Sequence, residues 1–141
     1  MNFSLPVRIA TIVAALLFFV FAWFQRNDVD PRIYHNPSSL DAALWLLFYF
    51  LIGLFMLVAL WRKIPLWLVA VGVIACLVEM IMTGPGLYQN LFGAEDFTMT
   101  QTSMSAKDPR VELTREFFGA VIALAGVAWI YLLHRKVRIA T

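Results

Sequence analysis

The chain has 141 residues, of which 62% are hydrophobic and 14% are charged, and its formal net charge is +2. An average soluble domain carries about 25% charged residues, so a soluble domain of this length would lack the polar side chains that cover a surface. The composition also excludes a disordered chain, which needs low hydrophobicity and high charge. A single cysteine, Cys76, excludes a disulfide scaffold. An integral membrane protein remains.

Four stretches are long and apolar enough to cross a bilayer as helices, which takes about 20 residues. They are continuous, whereas the strands of a membrane β-barrel alternate over about 10 residues. The sequence therefore predicts an all-α integral membrane protein, a single domain with four transmembrane helices in an up-down bundle. The predicted helices cover about residues 6–25, 40–61, 64–83 and 109–133, and the two outer loops cover residues 26–39 and 84–108.

Several helix ends carry recognisable signals. Ser38 is a predicted N-cap of the second helix, with Asp41 three residues on as in a capping box. The segment Gly84–Gly86, Gly-Pro-Gly, predicts the end of the third helix. Asp108 and Pro109 predict the start of the fourth helix, as N-cap and first helical residue.

The charges predict the orientation of the chain. The short turn at Arg62 and Lys63 and the tail after Leu133 are basic and contain no acids. Loops rich in lysine and arginine stay in the cytoplasm. We therefore expect both termini to be cytoplasmic, and we expect the protein to be a multi-pass protein of the cytoplasmic (inner) membrane.

Small residues recur on one face of each predicted helix, where they let helix backbones approach in lipid. On the second helix, Asp41, Trp45, Tyr49 and Gly53 follow at four-residue spacing and share a face. The residues predicted to pack helices together are Gly53, Gly72, Gly119, Ala123 and Gly126.

Polar residues from three predicted helices lie at one level, near the outer membrane boundary. An ionisable residue inside a membrane is a candidate functional residue. The preferred interpretation is an ion-pair collar that fixes helix register; the alternatives are a site for an ion or small polar ligand and, after it, a catalytic site. Its predicted members are Asn27, Asp28, Asp30, Glu79, Glu112, Arg115 and Glu116.

Glu79 has no charged neighbour on its own predicted helix, so its counter-charge must come from another helix. Arg115 is the preferred cation because Gly119, one turn away, lets two helices approach. We predict a contact between Glu79 and Arg115, direct or through one water, with Asn27 or Asp28 completing the cluster.

No catalytic motif, cofactor or metal site is predicted. Asp28 and Asp30 form a lone Asp-x-Asp before a proline, which is more typical of a turn than of a cation site. His35 and His134 fall on opposite faces of the predicted topology and cannot form a bis-histidine haem pair. No basic run of nucleic-acid type occurs.

Two segments resemble the transmembrane protein family 220, a group of small four-helix membrane proteins. They are the turn Gln25–Pro31 (QRNDVDP) after the first helix and the helix start Glu112–Gly119 (ELTREFFG). The family shows similar Gln-x-Asn-Asp-x-Asp-Pro and Glu-x-x-Arg-Glu-x-x-Gly patterns. The resemblance implies the four-helix fold and the location of the polar cluster.

Three functions fit the sequence. The preferred one is a non-enzymatic accessory, assembly or stabilising subunit, with other membrane protein subunits or a second copy of itself as partners besides the lipid bilayer. The second is a carrier or channel for a cation or small polar solute that uses the outer Glu/Arg cluster. The third is a lipid-modifying enzyme at the outer leaflet, with carboxylates as acid and base.

Overall fold

The computed structural model describes residues 3–35, 37–94 and 104–139. These residues form four α-helices, each long and apolar enough to cross a membrane. The predicted all-α membrane fold with four spanning helices is therefore confirmed, while the side on which the termini lie stays a prediction. The helices are α1 (Leu5–Gln25), α2 (Ser39–Ala59), α3 (Leu66–Phe92) and α4 (Arg110–Ile139).

The start of α2 agrees with the sequence, and the start of α4 lies slightly later than predicted. The Ser38 hydroxyl accepts a hydrogen bond from the Asp41 backbone N–H at 3.2 Å, which confirms the predicted N-cap. In α4 the first helical residue is Arg110, and the carbonyl of Pro109 accepts the bond from the Leu113 N–H. The Asp108 carboxylate accepts the Arg110 backbone N–H at 3.2 Å, as predicted for a capping residue, and also binds the Arg110 guanidinium at 2.8 Å.

The predicted end of the third helix before Gly84 is wrong, because α3 continues through Pro85 to Phe92. A proline costs one backbone hydrogen bond, and transmembrane helices tolerate it because neighbouring helices restore the lost interactions. Contacts with α4 stabilise the helix beyond Pro85. The missing side chain of Gly86 leaves room for Leu113, and the buried Asn90 donates hydrogen bonds to α4. The loop after α3 therefore begins at Gly93, nine residues later than expected, and its residues 95–103 lie outside the described ones.

The remaining boundaries differ by a few residues. Helix α2 ends at Ala59 and α3 begins at Leu66, so the turn between them is longer than predicted. Leu60 and Ile64 of this turn are buried and close that end of the bundle. At the other end of the chain, α4 continues six residues beyond the predicted Leu133, to Ile139.

The helices pack as two pairs, α1 with α2 and α3 with α4, and contacts between α2 and α4 join the pairs. The core contains buried side chains from all four helices, including Phe18, Ile52, Cys76 and Ala123. We call the end formed by residues 26–35, 37–38, 93–94 and 104–109 the loop end. The end with the turn at residues 60–65 is the opposite end.

Four of the five predicted packing residues are glycines that lie against a neighbouring helix. A Cβ atom on Gly126 would lie 2.5 Å from Phe18 and 2.9 Å from Ile52, so three helices meet there. A Cβ on Gly53 would lie 3.0 Å from the carbonyl oxygen of Ala15. Gly72 similarly faces Val127, and Gly119 faces the hydroxyl of Tyr49. The fifth residue, Ala123, is fully buried.

Candidate functional site: a cavity at the loop end

A cavity of about 520 Å³ lies at the loop end, within the size range of small-molecule sites. Its walls come from α1, α2 and α4 and from the loop after α1. Each helix contributes residues three or four apart, which share one helical face. On α1 and just beyond it these are Phe21, Phe24, Gln25 and Asp28.

The wall from α2 is the stripe that the sequence shows at four-residue spacing. Asp41, Trp45 and Tyr49 all line the cavity, whereas Gly53, the next member, packs against α1. The stripe therefore changes role along its length. Its loop-end part borders the cavity, and its inner part joins two helices.

The wall from α4 changes from charged to apolar with depth. Glu112, Arg115 and Glu116 line the cavity near the loops, and Phe118 and Ile122 line it further into the bundle. At about 1.5 Å per residue, this wall extends roughly 15 Å, about half of the hydrocarbon thickness. The cavity is thus polar at the membrane boundary and apolar inside the bilayer.

Glu112 and Glu116 differ in their surroundings. Glu112 is 7% exposed, and its carboxylate accepts a hydrogen bond from the His35 backbone N–H at 2.7 Å. Glu116 is half-buried, and its carboxylate has no hydrogen-bond or ion-pair partner among the residues that the structure describes. A half-buried carboxylate without a partner is costly in a low-dielectric site, so a bound cation would relieve that cost.

The loop after α1 forms part of the cavity wall. The Tyr34 hydroxyl donates a 2.6 Å hydrogen bond to Asp28, and both residues line the cavity. Burial raises the pKa of the Asp28 carboxyl, although the Tyr34 hydrogen bond acts in the opposite direction. The pKa of the Tyr34 hydroxyl is raised mainly by burial and, to a smaller extent, by its hydrogen bond to Asp28. The pair therefore favours a protonated tyrosine.

The same loop is bound to the start of α4 through His35. Besides its backbone bond to Glu112, His35 forms a 2.9 Å hydrogen bond between its ring Nδ1 and the carbonyl of Ala106. Asp30 stabilises the turn before it by accepting the N–H of Arg32 at 2.9 Å. These bonds hold the loop over the cavity mouth.

Tyr49 lies deeper in the cavity and is the clearest sign of an unfilled site. Its side chain is 6% exposed, and its hydroxyl lies against Gly119, where a Cβ would approach to 2.7 Å. The hydroxyl has no hydrogen-bond partner within residues 3–35, 37–94 and 104–139. The hydroxyl is therefore available to a molecule inside the cavity.

The α4 wall is fixed from behind by α3. Asn90 is 3% exposed and donates hydrogen bonds to the Thr114 hydroxyl at 2.6 Å and to the Arg110 carbonyl at 2.9 Å. Thr114 also lines the cavity. The continuation of α3 beyond Pro85 therefore positions the first turns of α4.

Four of the seven predicted cluster residues line the cavity: Asp28, Glu112, Arg115 and Glu116. The other three, Asn27, Asp30 and Glu79, are outside its described lining. Asn27 is exposed, and Asp30 instead stabilises the loop turn.

The predicted contact between Glu79 and Arg115 is wrong. No ion pair or hydrogen bond joins these two side chains, both of which lie in the described part of the chain. Glu79 is half-buried on α3, outside the described cavity lining, and its backbone carbonyl accepts a 2.7 Å bond from the Thr83 hydroxyl. The sequence argument assumed that the close approach at Gly119 joins α3 and α4. Gly119 instead faces Tyr49 of α2.

Sequence reasoning missed two residues of the site and misread a third. Tyr34 and His35 carry no signal in a single sequence, because their roles depend on how a loop folds. Asp41 stands in the four-residue stripe with Trp45 and Tyr49, and this stripe is interpreted above as packing only. A carboxylate within an aromatic stripe was the available signal.

No group of three or more histidine, cysteine or acidic residues in the described ranges is arranged to hold a metal ion. The cavity therefore offers carboxylates, aromatic faces and one unpartnered hydroxyl. This combination can bind a positively charged group from which water is partly excluded.

Fold and cavity define a class of protein: a small multi-pass membrane protein with four helices, three of which line a cavity at the loop end of the bundle. Comparison with known families identifies the chain more closely. The model of Transmembrane family 220, helix, matches residues 17–132, so the chain belongs to this family. No curated protein and no solved structure matches the chain significantly.

Proposed function

We propose that this protein binds a small, positively charged organic molecule in the loop-end cavity without converting it chemically. One observation carries the proposal. A cavity of about 520 Å³ has Asp28, Asp41, Glu112 and Glu116 among its lining residues, together with several aromatic side chains.

Electrostatics favour a cation over an anion or a neutral molecule. Arg115 is the one basic side chain among the described lining residues, against four carboxylates. Opposite charges attract more strongly where water is partly excluded. Aromatic rings add to this preference, because their faces attract ammonium groups within about 6 Å.

The interior of the bundle favours binding over conduction. Toward the opposite end from the cavity, Phe18 packs on Gly126 and Ile52, and these residues belong to a closely packed apolar core. A channel needs a continuous polar path, and the described core supports none in a single chain. This supports a binding site closed at its base.

The accessory role predicted from the sequence is a second candidate, and α3 is the feature that favours it. This helix packs mainly against α4 and leaves large apolar side chains exposed, among them Trp67, Ile74 and Ile81. Another transmembrane subunit could pack there. Extraction in mild detergent tests this role, since a stable partner would raise the particle mass well above the 16.0 kDa of one chain.

Titration with benzyltrimethylammonium, followed by Trp fluorescence in detergent, tests the proposed cation site. The E116Q variant removes a half-buried, unpartnered charge from the cavity, and we expect it to weaken binding about ten-fold, equivalent to about 1.4 kcal/mol. E79Q is the matched control, because it removes a half-buried carboxylate outside the described lining. Equal binding of benzoate and benzyltrimethylammonium would contradict the proposal.

A further inference from the structure

The loop-end cavity borders the bilayer as well as the aqueous boundary. Phe24, Phe118 and Ile122 line it, and they are 59%, 44% and 44% exposed, respectively. Phe24 belongs to α1 and the other two to α4, and all three lie within membrane-spanning segments. On its α1 and α4 sides the cavity is therefore lined by side chains that are also exposed on the outer surface of the bundle.

We propose that the ligand of this cavity is a lipid-like amphiphile with an ammonium head group, which enters from the bilayer between α1 and α4. This inference rests on the proposed function, which requires only that a cation bind. The inference specifies in addition that the ligand comes from the bilayer and that it carries an apolar chain.

The cavity is polar near the loops and apolar deeper in the bundle, as a lipid is when its head group lies at the membrane boundary and its chain points inward. Glu112 and Glu116 lie near the loops, and Ile122 lies deepest along the α4 wall. A molecule with its ammonium group near the carboxylates thus places its chain beside Phe118 and Ile122. A soluble cation would leave this apolar half unfilled.

Aromatic side chains of α1 and α2 form one wall of the cavity. The ring centroids of Trp45 and Tyr49 are 5.4 Å apart, and those of Phe21 and Tyr49 are 5.9 Å apart. All three side chains line the cavity. Aromatic clusters of this kind bind quaternary ammonium groups through their ring faces, and they also pack against alkyl chains.

The Tyr49 hydroxyl is an independent sign of a ligand. The Tyr49 side chain is 6% exposed, its hydroxyl has no partner among the described residues, and the hydroxyl lies along the cavity wall at Gly119. Gly119 is one turn from Glu116 on α4, so the hydroxyl lies below the carboxylates. An amphiphile with an oxygen acceptor below its head group, such as an ester carbonyl, satisfies this hydroxyl.

Photolabelling in lipid nanodiscs tests the inference. The probe is a long-chain trimethylammonium lipid with a diazirine on its chain, and the matched probe carries a sulfonate head group. We expect the ammonium probe to label Phe24, Phe118 or Ile122, and the sulfonate probe to label them far less. Excess benzyltrimethylammonium should reduce the labelling, because both compounds occupy the carboxylates.

A pair of variants tests the entry route. I122W narrows the opening between α1 and α4, whereas I74W places the same bulky ring on the exposed face of α3, where Ile74 is 61% exposed. We expect I122W to abolish cavity labelling by the ammonium lipid, while a cooperative thermal unfolding transition in detergent shows that the variant folds. I74W should behave as the unmodified protein.

Four results would overturn the inference, and they separate it from the proposed function. If benzyltrimethylammonium binds but the lipid probe leaves the cavity unlabelled, the ligand is a soluble cation and only the inference fails. If both lipid probes label the cavity equally, the ammonium preference fails. If the ammonium lipid labels the cavities of I122W and I74W equally, the ligand does not enter between α1 and α4. If neither ammonium compound binds, the proposed function is contradicted as well.

Discussion

Replacing Gly126 with alanine tests the packing that closes the base of the cavity. The added Cβ would lie 2.5 Å and 2.7 Å from two ring carbons of Phe18 and 2.9 Å from Ile52. Phe18 and Ile52 are 5% and 3% exposed, so neither can move aside without displacing other core residues. Overpacking of this kind costs up to about 3 kcal/mol, and the better helix propensity of alanine returns about 1 kcal/mol.

The net loss of about 2 kcal/mol should lower the unfolding temperature in mild detergent by roughly 4–8 °C. Gly84 provides the matched control, because a Cβ there meets only Phe117, at 3.9 Å. G84A should unfold at or slightly above the temperature of the unmodified protein. The reasoning is refuted if G126A is as stable as the unmodified protein, or if G84A loses as much stability.

Three further predictions follow from the hydrogen bonds around the cavity. Replacing the buried Asn90 with alanine should lower the free energy of unfolding by about 1–3 kcal/mol, because it leaves its α4 partners unsatisfied; chemical denaturation measures this, and an unchanged midpoint would contradict it. E112A removes the carboxylate that accepts the His35 N–H, so it should release the loop after α1 and speed tryptic cleavage after the exposed Arg32. E112Q keeps an oxygen that can accept this hydrogen bond and should resist cleavage. Equal cleavage of the two variants would contradict the prediction. Folding raises the pKa of Asp28, so the stability that this carboxyl contributes is lost as pH rises through its folded-state pKa. The Arg110 partner lowers the pKa of Asp108, so the stability that this carboxylate contributes is lost as pH falls. Thermal unfolding across acidic pH should therefore show that D28N and D108N flatten opposite sides of the stability profile.

Hydrophobicity alone predicted the four helices, because the cost of burying a backbone in lipid restricts each apolar stretch to a helix. The end of α3 could not be predicted in this way. Gly-Pro-Gly ends helices in soluble proteins, and here the packing of Gly86 on Leu113 and the hydrogen bonds of Asn90 outweigh that local tendency. Such contacts between helices are absent from a single sequence.

The candidate site was partly predictable for a similar reason. Glu112, Arg115 and Glu116 stand on one helical face, so the sequence places them together wherever α4 lies. Which helix they face depends on the arrangement of the bundle. The structure places α2 and its stripe of Asp41 and Tyr49 at this face, whereas the sequence argument had expected Glu79 of α3.

The central claim is that an ammonium group binds between the carboxylates and the aromatic wall of the cavity. Nuclear Overhauser effects between the N-methyl protons of benzyltrimethylammonium and protein ring protons, measured in micelles, test this claim most directly. We predict contacts to the rings of Trp45 and Tyr49 and their loss in E116Q. Contacts to Trp67 alone, which is 65% exposed near the opposite end, would contradict the claim.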